Sequence, residues 1–166
     1  EYGAMPDWDV SQVTDTSYAF MDRSDFNADI SAWDVSSVTK LIGMFQSATS
    51  FNQPFGDWDV SSVTDIGSMF ADADSFNQPI GSCDVSSVND MMMMFNNCYV
   101  FNQDIGNWDV GNVTNMRWMF FKAIDFNQDI GNWDVSSVEN MYGTFALTET
   151  FNQDISDWDM SSINTI

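Results

Sequence analysis

Aspartate recurs at Asp9, Asp34, Asp59, Asp84, Asp109, Asp134 and Asp159, one every 25 residues. Carboxylates at a fixed interval suit three roles: closing a turn onto their own backbone, collecting cations, or presenting anions to a basic or sugar partner. If each interval is one coil of a stacked chain, a parallel sheet would set these residues roughly 4.8 Å apart on its exposed face. Two such charges repel by only about 1 kcal/mol in water. Each interior member has two neighbours, however, so the row is expected to attract cations or to hold protons above the usual pKa. Asp57, Asn107, Asn132 and Asp157, two positions earlier, would add oxygens of the kind calcium gathers. The Asp-Ser-Ser context suits simple turn capping equally well, and the glycine-rich calcium repeat is absent. The metal therefore stays unassigned, with calcium as the one candidate cofactor.

Cys83 stands where the other units carry tryptophan, and Cys98 where they carry Ala48, Ala73 and Ala123. Both slots are expected to face inward. Two cysteines fifteen residues apart in one coil could close a disulfide across the core, as an oxidising compartment would favour, or remain buried thiols. The chain contains no histidine, so nothing is present to activate a catalytic thiol.

Two further sets repeat or cluster. Asn27, Asn52, Asn77, Asn102, Asn127 and Asn152 each follow a phenylalanine. An amide has two donors and two acceptor sites, so stacked asparagines are expected to satisfy loop backbone in their own coil and the next. Met92, Met93, Arg117, Trp118, Phe121 and Tyr142 fall between the positions expected to be buried. They would form an outer patch of residue types that dominate binding hot spots. Asn112-Val113-Thr114 fits a glycosylation acceptor, a short and common pattern.

What must position these residues is a repeat. Trp8, Trp33, Trp58, Trp108, Trp133 and Trp158 keep the same 25-residue interval, with Cys83 in the empty slot. Each unit reads F-N-Q-x-I-x-x-W-D-V-S-S-V-x-x-M-x-x-M-F-x-x-A, without insertions, as equivalent stacked coils require. In Ile105-Gly106-Asn107-Trp108-Asp109-Val110 the apolar spacing matches a short strand with Trp108 and Val110 inward and Asp109 outward. Val113, Met116, Met119, Phe120 and Ala123 follow the three-and-four spacing of a helical stripe. Ser36, Ser61 and Ser136 sit at its expected amino-terminal cap. The expected fold is an α/β solenoid resembling leucine-rich repeats: a right-handed stack with short parallel strands on one face and short helical or 3₁₀ segments on the other. Residues 1–166 would form one repeat domain of about six and a half coils.

The chain carries 25 acidic and four basic residues, a formal charge of -21. That sign opposes nucleic-acid binding, which needs lysine and arginine to neutralise phosphates, and it opposes anionic membranes. No run is long and apolar enough for direct membrane insertion, and Glu1-Tyr2-Gly3-Ala4 has neither a basic start nor a signal core.

The blocks Phe101-Asn102-Gln103-Asp104-Ile105-Gly106-Asn107-Trp108-Asp109-Val110 and Phe126 to Val138 closely resemble the BspA-like leucine-rich-repeat surface proteins, a family also represented among mycoplasma lipoproteins. The resemblance covers essentially the whole chain and implies a cell-surface or secreted protein whose proposed role is adhesion to a protein or glycan partner. It implies no catalytic residues and no enzyme. Departures are Cys83, Pro54, Pro79, Met160 and a first unit containing Thr16, Ala19 and Arg23. Because the array starts and stops within a repeat, the chain is expected to be a fragment of a longer one or to have covered ends. Two other roles compete with adhesion. One is a structural subunit of a large extracellular assembly. The other is ice or mineral binding along Thr14, Thr39, Thr64 and Thr114, a ladder broken by Asn89 and Glu139.

Overall fold

The computed structural model describes residues 5–55 and 58–166. Residues 25 apart do lie one above another. Trp108 stacks on Trp133 and Trp133 on Trp158, with centroids 6.5 and 6.4 Å apart and planes within 8° and 3° of parallel. Phe45, Phe70, Phe95 and Phe120 form a second column at 5.6 to 5.8 Å. Phe51, Phe76, Phe101 and Phe126 form a third, at 6.0 to 6.1 Å.

The coils are nevertheless built from turns, which overturns the expectation of an α/β solenoid. Among the described residues the only helical segment is a 3₁₀ turn at Met5–Asp7. No strand forms among the described residues; isolated parallel bridges link Asp15, Lys40, Asp65, Asp90, Asn115, Asn140 and Thr165 in turn.

The hydrogen bonds explain both corrections. In the stretch expected to be strand, Trp108 N–H donates to Ile105 O (3.1 Å), and directly after it Val113 N–H donates to Val110 O (2.9 Å), so the backbone turns within the stretch and again at its end instead of extending. In the stretch expected to be helix, amides alternate between two acceptors. Met116, Trp118, Phe120 and Lys122 donate to Asn140, Tyr142, Thr144 and Ala146 of the next coil, while Met119, Phe121 and Ala123 close three-residue-back turns onto Met116, Trp118 and Phe120. A helix would send every amide four residues back within one coil. Here half of them cross to the neighbour.

The alternation needs left-handed residues. Tyr18 and Asp22, Ser68 and Asp72, Met93 and Asn97, and Trp118 and Lys122 all have φ between 55° and 60°. Each is the third residue of its turn, where a type II turn needs positive φ. Two such residues per coil stop any helix from propagating.

Three-residue turns place side chains on the same inward line that a helical stripe would, so the apolar pattern still marks the core. Val113, Met116, Met119, Phe120 and Ala123 are fully buried, as are Ile105, Val110 and Phe101, and Trp108 is nearly so. No helix among the described residues is long and apolar enough to cross a membrane.

Candidate functional site

The aspartate row faces outward from the Trp-Asp-Val corner, and each member is engaged by its own coil. In the first four units the carboxylate Oδ1 accepts from both the backbone N–H and the hydroxyl of the serine two residues on: Ser11, Ser36, Ser61 and Ser86. The hydroxyl contacts are 2.6 to 2.7 Å and the amide contacts 3.0 to 3.1 Å. Asp109 accepts from Gly111 N–H, Asp134 from Ser136 and Asp159 from Ser161. These are Asx turns, the capping role weighed for the row from its sequence context.

The expectation of protons held above the usual pKa is overturned. The serine hydroxyl, then the serine amide, holds Asp9, Asp34, Asp59, Asp84, Asp134 and Asp159 below the ordinary carboxylate range. Asp9 and Asp59 push Asp34 the other way, but two short hydrogen bonds to the charged form outweigh like charges across solvent. Among the described residues no three His, Cys, Asp or Glu side chains converge as a metal would require. Asp57, expected to widen the row, lies outside the described residues.

Two more capping columns run parallel, and sequence reasoning missed both as ladders. Asp29, Asp104, Asp129 and Asp154 accept from the amide two residues on, at 2.9 to 3.0 Å. In the bridged column, Asp15, Asp65, Asp90, Asn115 and Asn140 do the same for Ser17, Gly67, Met92, Arg117 and Tyr142. Asn115 also donates to Asp90 Oδ2 at 3.0 Å. In this column Asp65 is raised, by burial first and by Asp90 to a lesser degree.

The asparagine row joins successive coils. Oδ1 of Asn27, Asn52, Asn77, Asn102 and Asn127 each accepts, at 3.0 Å, from the backbone N–H of the asparagine one coil on. The glutamines beside them complete it: Gln78, Gln103, Gln128 and Gln153 donate to both the carbonyl and Oδ1 of the preceding asparagine. The Phe-Asn-Gln run, present in every unit from Phe51 on and replaced by Phe26-Asn27-Ala28 in the one before, was the available signal for that second partner.

The Cys83–Cys98 disulfide does not form; both thiols are free. The Cys98 S–H points at the carbonyls of Phe70 (3.2 Å) and Ala73 (3.4 Å) in the preceding coil, and burial pushes its pKa far up. Cys83 opens onto an apolar cavity of about 40 Å³ between Trp58 and Trp108. Phe55, where other coils carry isoleucine, packs edge-on against Trp58 at 4.7 Å and lines the same space. The indole N–H of Trp33, Trp58, Trp108, Trp133 and Trp158 each donates to a carbonyl 28 residues back, as Trp108 does to Ile80.

The outer patch does assemble. The Arg117 guanidinium lies 4.3 Å over the Trp118 ring and 5.6 Å over Tyr142, and Lys122 Nζ lies 5.4 Å over Phe121. Trp118 sits 6.0 Å from Tyr142 and 6.2 Å from Phe121. Tyr142 is exposed, whereas Met92, Met93, Arg117, Trp118 and Phe121 are half-buried. In the threonine ladder the hydroxyls of Thr39, Thr64 and Thr114 donate to carbonyls of the preceding coil, which leaves acceptor lone pairs alone for an outside surface.

The model of one protein family, described as Mycoplasma protein of unknown function, DUF285, matches residues 2–98 and again residues 78–166. No curated protein and no solved structure matches the chain.

Proposed function

The chain belongs to that family, and on this footing we propose that it is a non-catalytic, cell-surface or secreted adhesion and scaffold module that binds protein or glycan partners through its repeated exposed rows. What carries the reading is constancy of presentation. Asp34, Asp59 and Asp84 are fixed outward by the same pair of serine contacts, coil after coil. Identical groups at a constant rise offer many weak contacts at once, and linked weak contacts multiply into avidity. Catalysis calls instead for unlike groups converging on one reacting atom. The BspA-like character of Phe101–Val110 and Phe126–Val138 supports an extracellular setting and an adhesive role.

The partner surface this row suits is basic or hydroxyl-rich, since carboxylates held ionised attract cations and accept from sugar hydroxyls. The test is a binding screen on immobilised chain against matrix proteins, basic proteins and a glycan array, with and without calcium. It is repeated with Asp34, Asp59 and Asp84 changed together to asparagine, which keeps an acceptor for the serine amide but removes the charge. Binding by the native chain that the triple variant loses, while its circular-dichroism spectrum stays native, supports the proposal. Binding to nothing, or binding indifferent to the charge, refutes it.

A further inference from the structure

The four basic residues divide into two pairs. Arg23 lies 3.7 Å from Asp25, and Lys40 stands between Asp15 and Asp65 in the bridged column, so both have carboxylates of their own chain beside them. Arg117 and Lys122 lie instead against rings, and among the described residues neither has a carboxylate within salt-bridge distance. With 25 acidic residues in the chain, two cations left to aromatic faces mark a place where an outside anion is to be met. Stacking also holds the guanidinium flat and its donor fork preformed for a carboxylate.

The face around them is polarised along the stack. Amide bonds from one coil to the next keep its columns in register: Asp72 N–H donates to Asn96 O, and Asn97 N–H to Phe121 O. Down one column stand Asp22, Ser47, Asp72, Asn97, Lys122 and Leu147; down the bridged column stand Asp15, Lys40, Asp65, Asp90, Asn115 and Asn140. In the first column the carboxylates Asp22 and Asp72 precede the cation Lys122; in the bridged column Asp15, Asp65 and Asp90, with Lys40 among them, give way to Asn115 and Asn140. Asn97 lies midway, its amide 2.6 Å from Asp72 Oδ1.

We propose that this face is a self-recognition surface. A second copy of the chain docks on it antiparallel, about a two-fold axis beside Met93 and Asn97, so that Lys122 meets the partner's Asp72. The columns dictate the register: a two-fold axis lying across the stack at this coil sets each column against itself in reverse, one coil after the axis facing one coil before it. Each contact occurs twice, as an isologous interface requires. Met92, Met93, Trp118, Phe121 and the exposed Tyr142 supply the apolar component around the charges. The overall charge of -21 does not forbid the pairing. At physiological salt screening acts within about 8 Å, so the groups that face each other decide the outcome.

The proposal stands apart from the aspartate row, and either can fail without the other. The test is sedimentation velocity of the native chain over a range of concentrations at physiological salt, with Lys122→Asp, Asp72→Lys and the combined variant. A native dimer weakened at least about tenfold by each single reversal and recovered in the combined variant bears the proposal out. Recovery in the combined variant also shows that the singles lost a contact rather than their fold. A native monomer at every concentration overturns it, including one that binds an acidic polysaccharide through Arg117. So does a dimer indifferent to Lys122→Asp, or a combined variant that stays monomeric.

Discussion

Trp118 rests on Gly143, one coil further on: a Cβ added to Gly143 would come within 2.5 Å of Trp118 Cδ1 and 2.7 Å of Nε1. Gly143 also has φ +64°. The arrangement recurs at the other end of the stack, where Tyr18 ring atoms would meet a Cβ on Gly43 at 2.7 Å and Gly43 has φ +54°. A large ring in one coil therefore imposes glycine on the next.

Gly143→Ala should carry two separable penalties. The left-handed conformation costs about 1–2 kcal/mol for any side chain, and the clash with Trp118 adds to it. In a Trp118→Ala background the clash vanishes and the conformational part remains. Urea denaturation of the two singles and the double should give a coupling energy well outside error. Simple additivity would mean that the ring moves aside freely.

The complementary change should stabilise. Leu147 has φ 61° and is exposed, so its side chain adds little packing to offset a strained backbone. Leu147→Gly relieves the crowding of a left-handed Cβ, an effect of roughly 1 kcal/mol partly offset by glycine's greater freedom when unfolded. A higher midpoint with an unchanged denaturant slope is the expected result.

At the interrupted tryptophan column, Cys83→Trp alone should destabilise. An indole exceeds a cavity of about 40 Å³, and Phe55 already occupies part of the room. Overfilling a core typically costs about 1–3 kcal/mol. Cys83→Trp combined with Phe55→Ile restores the side chains found in other coils and should be more stable than either single by thermal melting. A double variant no better than Cys83→Trp would show that Phe55 is not the compensating residue.

Acid should unfold the stack. Asp9, Asp34, Asp59, Asp84, Asp134 and Asp159 have pKa values lowered in the folded chain. Their contribution is complete above the unfolded value of about 3.9 and is lost as pH falls through the lower folded values. Asp65 and Asp74 are raised by burial and act in the opposite sense; their contribution is lost as pH rises through the folded values. Asp15, Asp29 and Asp154 are lowered as well, by Ser17, Ser31 and Ser156; these nine groups outnumber the two raised ones, so melting temperature should fall between roughly pH 4 and pH 2. Changing Ser36, Ser61 and Ser86 to alanine should flatten that decline, because the hydroxyls are the first cause of the lowered values.

Which residues face inward was legible in the sequence; how the backbone carries them there was not. Val113, Met116, Met119, Phe120 and Ala123 are buried as their spacing requires, but consecutive three-residue turns reproduce that spacing as well as a helix does. Glycine is the ordinary signal for a left-handed residue. It stands at Gly43 and Gly143, while Tyr18, Ser68, Met93 and Trp118 occupy the equivalent place elsewhere. The asparagine ladder was foreseen because an unbroken amide after a buried ring has few other uses. The lowered aspartate pKa values were not: charge repulsion can be counted from a sequence, whereas a serine hydroxyl turned onto Oδ1 cannot. The cysteines illustrate the same limit, since sharing a coil does not say which way either sulfur points.

The division of amides between home coil and neighbour has a mechanical corollary. Closing turns travel with their coil, whereas the bonds between coils run in several parallel seams, along the alternating amides, the asparagines and the threonines, that open together from an end. Pulled from its termini, such a molecule yields rung by rung, each detached rung paying out 25 residues of slack, on the order of 85 Å of extended chain. It would behave as an extensible tether with a regular step, suited to absorbing load between two anchored surfaces.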